Sequence, residues 1–120
     1  MNYEIEEFTK QISEFLNQYF RGDNFEFDVR HYADIQNMQR IISIRATMHN
    51  EYNGTKFNEQ FTLTYSLDER YFGNSLWRVD RESFWQRIVA QSIRQIQEQI
   101  EKSKYFQYRK KMERIQGDFI

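Results

Sequence analysis

The side chains of this chain that could carry acid–base or metal chemistry are few, and the sequence spreads them apart. There are two histidines, His31 and His49, and no cysteine. In the first predicted strand, His31 is spaced to point to the same apolar face as Phe27 and Val29. In the second predicted strand, His49 is at a position that points to the polar face. Because the two rings then lie on opposite faces of a sheet, they share neither a metal ion nor a proton path. We therefore expect no catalytic residue, no metal and no cofactor, and we classify the chain as a non-enzyme.

Acidic side chains give no stronger sign of a reactive site. Glu26 and Asp28 share one face of a strand, but one carboxylate pair does not supply the oxygen ligands that a divalent cation needs. Glu59 is the one acidic residue on the inward parity of its strand, and it stands near a tight turn. We expect Glu59 to be exposed there, because fully buried unpaired glutamates are rare.

A basic and aromatic segment close to the C-terminus has the residue types of a binding surface. Its candidate partner-binding residues are Tyr105, Phe106, Tyr108, Arg109, Lys110, Lys111 and Met112. The cations could contact phosphates while the rings stack on bases. Alternatively, the apolar side chains at helical spacing could dock in a protein groove. In a third interpretation the segment packs back on its own domain, with its lysines favouring the negative end of a helix.

A second aromatic group surrounds a turn signal in the middle of the chain. The candidate partner-binding residues Tyr71, Phe72 and Trp77 flank Gly73-Asn74. Exposed rings at this place would form a hot spot for a protein partner, since Trp and Tyr dominate interface energetics. Rings turned inward would instead close the end of the core, and the sequence leaves both interpretations open.

The pair Asn53-Gly54 predicts a β-hairpin among the elements that position these groups. Both central residues of a type I′ turn need positive φ, and Asn-Gly adopts it readily. A two-residue turn centred there places Ile44 opposite Leu63, so the apolar residues of both strands share one face. The predicted strands cover roughly residues 40–52 and 55–67.

Apolar spacing predicts a helix and a strand before this hairpin. The helix is amphipathic and runs from about Tyr3 to Phe20. Alternating apolar and charged residues then predict a strand that begins at Phe25, and a polar connection over residues 33–39 leads into the hairpin.

After the hairpin, the pattern predicts a short fourth strand over residues 76–79 and a helix whose N-cap is Asp80. Helical spacing continues to the end of the chain, but the apolar stripe changes phase. The 15 positions from Ile100 to Ile115 leave these residues about 60° apart around a helix. The helix therefore either breaks near Lys102–Lys104 or packs there on a different surface.

The element order α-β-β-β-(β)-α predicts an α+β two-layer sandwich, in which the N- and C-terminal helices cover one face of an antiparallel meander sheet. We interpret residues 1–101 as a single domain and residues 102–120 as its helical extension. The order resembles that of double-stranded RNA-binding domains. This resemblance is one of topology alone and implies no site residues, because the last helix opens with Asp80-Arg81-Glu82-Ser83 and not with a basic cluster.

Composition limits the class of protein. The chain has 120 residues and a formal net charge of −1, with no apolar run near the roughly 18 residues of a membrane span. We expect a cytoplasmic protein that contacts no membrane. The sequence predicts a small binding protein that acts sterically on a protein partner. An accessory or inhibitor protein of a phage or mobile element, directed against a nucleic-acid-binding machine, would fit. A nucleic-acid-binding module using the C-terminal segment and a self-assembling homo-oligomeric subunit are the alternatives.

Overall fold

The structure is a computed structural model that describes residues 3–68 and 75–117, with side chains over residues 5–67 and 82–117. Three helices and three strands follow one another in it. They are α1 (Tyr3–Tyr19), β1 (Phe25–Asp34), β2 (Gln39–Tyr52), β3 (Thr55–Asp68), α2 (Ser75–Lys102) and α3 (Lys104–Gly117). The predicted α+β class is confirmed, with an antiparallel meander sheet and flanking helices. None of the described helices is long and apolar enough to cross a membrane.

The sheet has the strand order β1-β2-β3, so the long strand β2 is central. Asn53 and Gly54 have φ angles of 52° and 80°, as a type I′ turn requires. The predicted register of the hairpin is confirmed, since Ile44 pairs with Leu63. One face of the sheet is therefore apolar and the other polar, and both long hairpin strands carry this alternation along their length.

The core lies between the apolar face of the sheet and the first two helices. Its fully buried aliphatic side chains come from α1, from β2 and β3, and from α2: Ile5, Ile12, Leu16, Ile42, Ile44, Leu67, Ile88 and Ile96. Each buried side chain of this size contributes about 1.5–3 kcal/mol of hydrophobic stabilisation relative to exposure. Aromatic rings extend the core toward one end, where Phe20 contacts Phe25 and Phe27.

Two predicted boundaries are wrong. Residues 76–79 lie in helix α2, which begins at Ser75, so these residues form no strand and Asp80 is not an N-cap. A short apolar run cannot be assigned to strand or helix by periodicity alone, which explains the error. The connection before the hairpin is also shorter than predicted, because β1 extends to Asp34 and β2 already begins at Gln39.

The phase change near the C-terminus corresponds to a break between two helices. Helix α2 ends at Lys102, and α3 begins at Lys104. Ser103 lies between them and is buried. The first of the two predicted alternatives is confirmed, since the helix breaks there. The separate helix α3 packs against β2.

Candidate functional site

Helix α3 is attached to the β2–β3 hairpin by two tyrosines. The ring of Tyr105 lies 6.5 Å from that of Tyr52 and 5.7 Å from that of Phe57. The corresponding centroid distances for Tyr108 are 6.0 Å and 5.5 Å. Three of these pairs are edge-to-face and the Phe57–Tyr108 pair is tilted, and aromatic pairs at such distances are favourable. Tyr105 and Tyr108 are thus half-buried against their own domain, as the third interpretation of this segment predicts.

The N-terminus of α3 is held by two side chains. The hydroxyl of Ser103 accepts a hydrogen bond from the backbone N–H of Phe106 at 3.1 Å, the geometry of an N-cap. The carboxylate of Glu59 accepts one from the backbone N–H of Lys104 at 2.9 Å. Both bonds satisfy N–H groups that have no partner within the helix, and the negative charge of Glu59 is favoured at the positive end of the helix dipole.

The expectation that Glu59 is exposed is therefore wrong. The Oε2 atom of Glu59 is buried and has no hydrogen-bond partner among the described residues. Helix α3 covers this end of the sheet, beside the β2–β3 turn. The alternation of residues in β3 correctly indicated that the side chain of Glu59 points to the apolar face. Its burial, however, depends on a contact between residues that are 45 positions apart.

The opposite side of α3 remains exposed and is basic. Gln107, Lys110, Lys111 and Arg114 line a shallow surface cleft of about 190 Å³ there. Arg109 pairs with Glu113 at 3.0 Å, and Phe106 keeps 36% of its surface exposed. Met112 is half-buried. The structure thus divides the predicted partner-binding segment into an inner aromatic face and an outer cationic face.

The second predicted aromatic group is only partly described. Tyr71 and Phe72 lie outside the described residues. Trp77 belongs to helix α2, but its side chain is outside the described part of the chain. Their role as a hot spot stays a prediction.

An apolar patch that the sequence analysis missed lies at the β1–β2 turn. Tyr32 and Ile41 are directly opposite each other on the polar face of the sheet, and the turn that follows carries Ile35 and Met38. Ile35 is 83% exposed, Met38 57% and Tyr32 53%. We call these four residues the tip patch. The sequence indicated this patch through Ile35 and Met38, two apolar residues in a connection that we predicted to be polar.

The turn that carries the tip patch has a defined and strained conformation. The carboxylate of Asp34 accepts hydrogen bonds from the backbone N–H of Asn37 at 3.4 Å and from its side-chain amide at 2.8 Å. Met38 has a φ of 51°, in the left-handed region that glycine or asparagine normally occupies. A methionine there costs about 1–2 kcal/mol of backbone energy. The turn therefore presents Met38 at a cost to folding stability.

The polar face near the other end of the sheet holds a hydrogen-bonded histidine. His49 Nδ1 lies 3.0 Å from Asn58 Oδ1, and Nε2 lies 3.3 Å from Glu26 Oε2. These bonds, with Asn58 first and Glu26 second, raise the pKa of His49 above its ordinary value of 6.5. His31 lies on the opposite face, as predicted, opposite Ile42.

Within the described residues, no group of three or more His, Cys, Asp or Glu side chains could hold a metal ion. Comparison with protein-family models, with curated proteins and with solved structures finds no match. The candidate site is therefore defined by the geometry of the chain alone. It consists of the tip patch at one end of the sheet and the cationic face of α3 at the other.

Proposed function

We propose that this protein is a non-enzymatic binding protein that acts sterically on a protein partner, as an accessory or inhibitor protein, and that the tip patch is its anchor. The observation that carries the proposal is the 83% exposure of Ile35 beside a half-exposed Met38. Clustered apolar side chains on a protein surface mark interaction sites more often than isolated ones do.

The energetics of the turn support this proposal. An isoleucine or methionine side chain gains about 1.5–3 kcal/mol when it is fully buried. The folded monomer leaves this gain unused at Ile35 and also carries the strained φ of Met38. An apolar pocket on a partner that covers the turn would supply this hydrophobic gain, which would offset the backbone strain that Met38 keeps in the complex. A turn that is already held by Asp34 and Asn37 loses little conformational entropy on binding.

The net charge of the first half of the chain fits a basic partner. The first half of the chain, residues 1–60, has 10 acidic and 6 basic side chains, and the tip patch belongs to this half. A partner with an apolar pocket inside a basic surface, such as a nucleic-acid-binding groove, would match both features. The protein would then block that groove by occupying it.

A second candidate function is nucleic-acid binding through α3. The observation that favours it is the exposed set of Lys110, Lys111 and Arg114 on one side of the helix. Tyr105 and Tyr108 face the hairpin, so their rings are not available to stack on bases. Binding of this kind would rest on phosphate contacts alone and would weaken steeply with salt.

The test compares capture of partners by three forms of the full chain from nuclease-treated extract of the source cells. They are the wild type, the variant Ile35→Ser/Met38→Ser, and the control Gln36→Ser in the same exposed turn. A partner that is captured by the wild type and the control is then purified, and its affinity for all three forms is measured by calorimetry. We expect the double variant to bind at least about a hundredfold more weakly, since two anchors of about 1.5–3 kcal/mol are lost.

Equal affinity of the double variant and the wild type would overturn the role of the tip patch. Loss of binding in Lys110→Glu/Lys111→Glu, together with a strong salt dependence and unchanged binding in the double variant, would support the second function instead. Circular dichroism of each variant shows whether the fold is retained, so a loss of binding is not confused with unfolding.

A further inference from the structure

The outer edge of strand β3 has unpaired backbone groups along its length. The sheet order β1-β2-β3 leaves β3 hydrogen-bonded on one side only. Because a type I′ turn makes Tyr52 and Thr55 a hydrogen-bonded pair, the odd-numbered residues of β3 bond to β2. The even-numbered residues, from Lys56 to Asp68, therefore direct their N–H and C=O groups away from the sheet.

Strand β3 has few of the features that protect an edge. It is 14 residues long and pairs with β2 without a bulge. The chain contains no proline, and residues 60–67 carry no charge. No backbone hydrogen bond to another element satisfies this edge within the described part of the chain. Among the described residues, helices α2 and α3 contact β3 through its side chains, Tyr65 with Ser92 and Glu59 with Lys104, and not through hydrogen bonds to its edge backbone. Long edges with few charges and no proline are templates for pairing with another strand.

We propose that a second copy of this chain pairs with this edge, β3 against β3, in a continuous six-stranded antiparallel sheet. A two-fold axis perpendicular to the sheet keeps the apolar faces on one side. Two residues that lie directly opposite each other must then both have even numbers or both have odd numbers, and the even-numbered residues must form the hydrogen-bonded pairs. The two-fold axis then passes through either an even-numbered hydrogen-bonded pair or an odd-numbered non-hydrogen-bonded pair of β3.

A centre at Phe61 pairs residues 55–67 and a centre at Thr62 pairs residues 56–68, so the two overlaps are equally long. The charge pairing that follows favours Thr62. With Thr62 opposite Thr62 of the second copy, residues 56–68 of both strands pair. The same register places Lys56 opposite Asp68 of the second copy, which brings together residue types of opposite charge at both ends. On the apolar face, Phe61 comes opposite Leu63 of the second copy. Phe61 and Tyr65 are only half-buried in the single chain, so the second copy would cover apolar surface as well as backbone.

Disulfide trapping tests this register, because the chain contains no cysteine of its own. At the two-fold centre, a hydrogen-bonded pair has Cα atoms about 5.5 Å apart, within the range that a disulfide spans. The variant Thr62→Cys should therefore convert to a linked dimer under mild oxidation. Arg45→Cys is the matched control, since Arg45 is exposed on the same face, directly opposite Thr62 but one strand further from the edge. Thr64→Cys tests the register, because its two copies would be displaced along the strands. The variants Arg45→Cys and Thr64→Cys should each form the linked dimer at least about tenfold more slowly than Thr62→Cys.

Light scattering on the untreated chain supplies an independent readout. We expect a mass twice the 15.0 kDa of one chain. Proline at position 62 removes an N–H that points to the free edge and leaves the β2–β3 bonds in place. Thr62→Pro should weaken the dimer at least about tenfold, while Thr62→Ala should leave it within about twofold of the wild type. A wild-type chain that stays monomeric at high concentration, or faster linking of Thr64→Cys than of Thr62→Cys, would overturn the proposal.

Discussion

The carboxylate of Glu59 on strand β3 accepts a hydrogen bond of 2.9 Å from the backbone N–H of Lys104, the first residue of helix α3. This bond connects the middle of the chain to its end, and it orients α3 so that Tyr105 and Tyr108 reach the hairpin. It also leaves the cationic face of α3 exposed, since the aromatic face packs on the hairpin.

The Glu59 contact predicts a localised loss of stability. Glu59→Ala should lower the free energy of unfolding by about 1.5–3 kcal/mol, the range for a hydrogen bond to a charged group. Glu59→Gln should cost less, because it keeps an acceptor but loses the attraction to the helix dipole. Urea unfolding measures both, with Thr64→Ala on the exposed face of the same strand as the reference. Hydrogen exchange should show faster exchange in α3 alone, and uniform acceleration over the chain would contradict this account.

The tyrosine contacts predict that substitutions on the side of α3 that faces the hairpin destabilise the fold, whereas substitutions on its exposed side do not. Tyr108→Ala removes two ring pairs, each worth about 0.5–1.5 kcal/mol, and should destabilise the fold by about 1–3 kcal/mol. Lys111→Ala on the exposed side of the same helix should change stability by less than about 0.5 kcal/mol. If the two variants are equally stable in chemical denaturation, α3 is not docked as described.

The hydrogen bond between Tyr65 and Ser92 predicts coupled substitutions. Tyr65 Oη lies 2.8 Å from Ser92 Oγ, and Ser92 is fully buried. Burial raises the pKa of Tyr65, and the bond to Ser92 opposes this effect. Tyr65→Phe and Ser92→Ala should each cost about 1 kcal/mol. The double variant should cost clearly less than the sum, because either single change already breaks the bond. Strict additivity in a double-mutant cycle would show that the bond does not form in solution.

The environment of His49 predicts a pH dependence. Both ring nitrogens face oxygen acceptors, which favours the protonated ring and raises the pKa of His49 above 6.5. A raised pKa in the folded state contributes stability that is fully present below pH 6.5 and is lost as the pH rises through the folded-state value. The thermal midpoint should fall over this window in the wild type and change less in His49→Gln. An NMR titration that gives His49 a pKa at or below 6.5 would show that the ring does not make these two hydrogen bonds in solution.

The strained φ of Met38 predicts that replacing this residue raises the stability of the fold and lowers the affinity for the proposed partner. Met38→Gly should raise the free energy of unfolding by about 0.5–1 kcal/mol, because glycine adopts this conformation without a steric cost. Gln36→Gly in the same turn gains nothing of this kind and serves for comparison. Affinity for the proposed partner should fall in Met38→Gly despite the higher stability. A destabilised Met38→Gly variant, measured by thermal unfolding, would show that the methionine side chain supports the monomer.

Local patterns predicted much of the fold. The register of Ile44 against Leu63 follows from the turn at Asn53-Gly54 and from period-two alternation, and both act between near neighbours. The helix break at Ser103 was visible as a phase change in the apolar stripe. The start of α2 at Ser75 could not be predicted from the sequence, because the apolar run over residues 76–79 fits a strand or a helix equally well.

The sequence by itself determined which faces of the strands and helices are apolar, since that depends only on the spacing of residue types. The tertiary structure decided which of these faces stay exposed. Glu59 meets Lys104 only after the chain has folded back over 45 positions, and no local preference specifies such a contact. The packing of Phe57 against Tyr108 depends on the same docking of α3. For the same reason the exposure of Ile35 became evident only when no other element covered the turn within the described part of the chain.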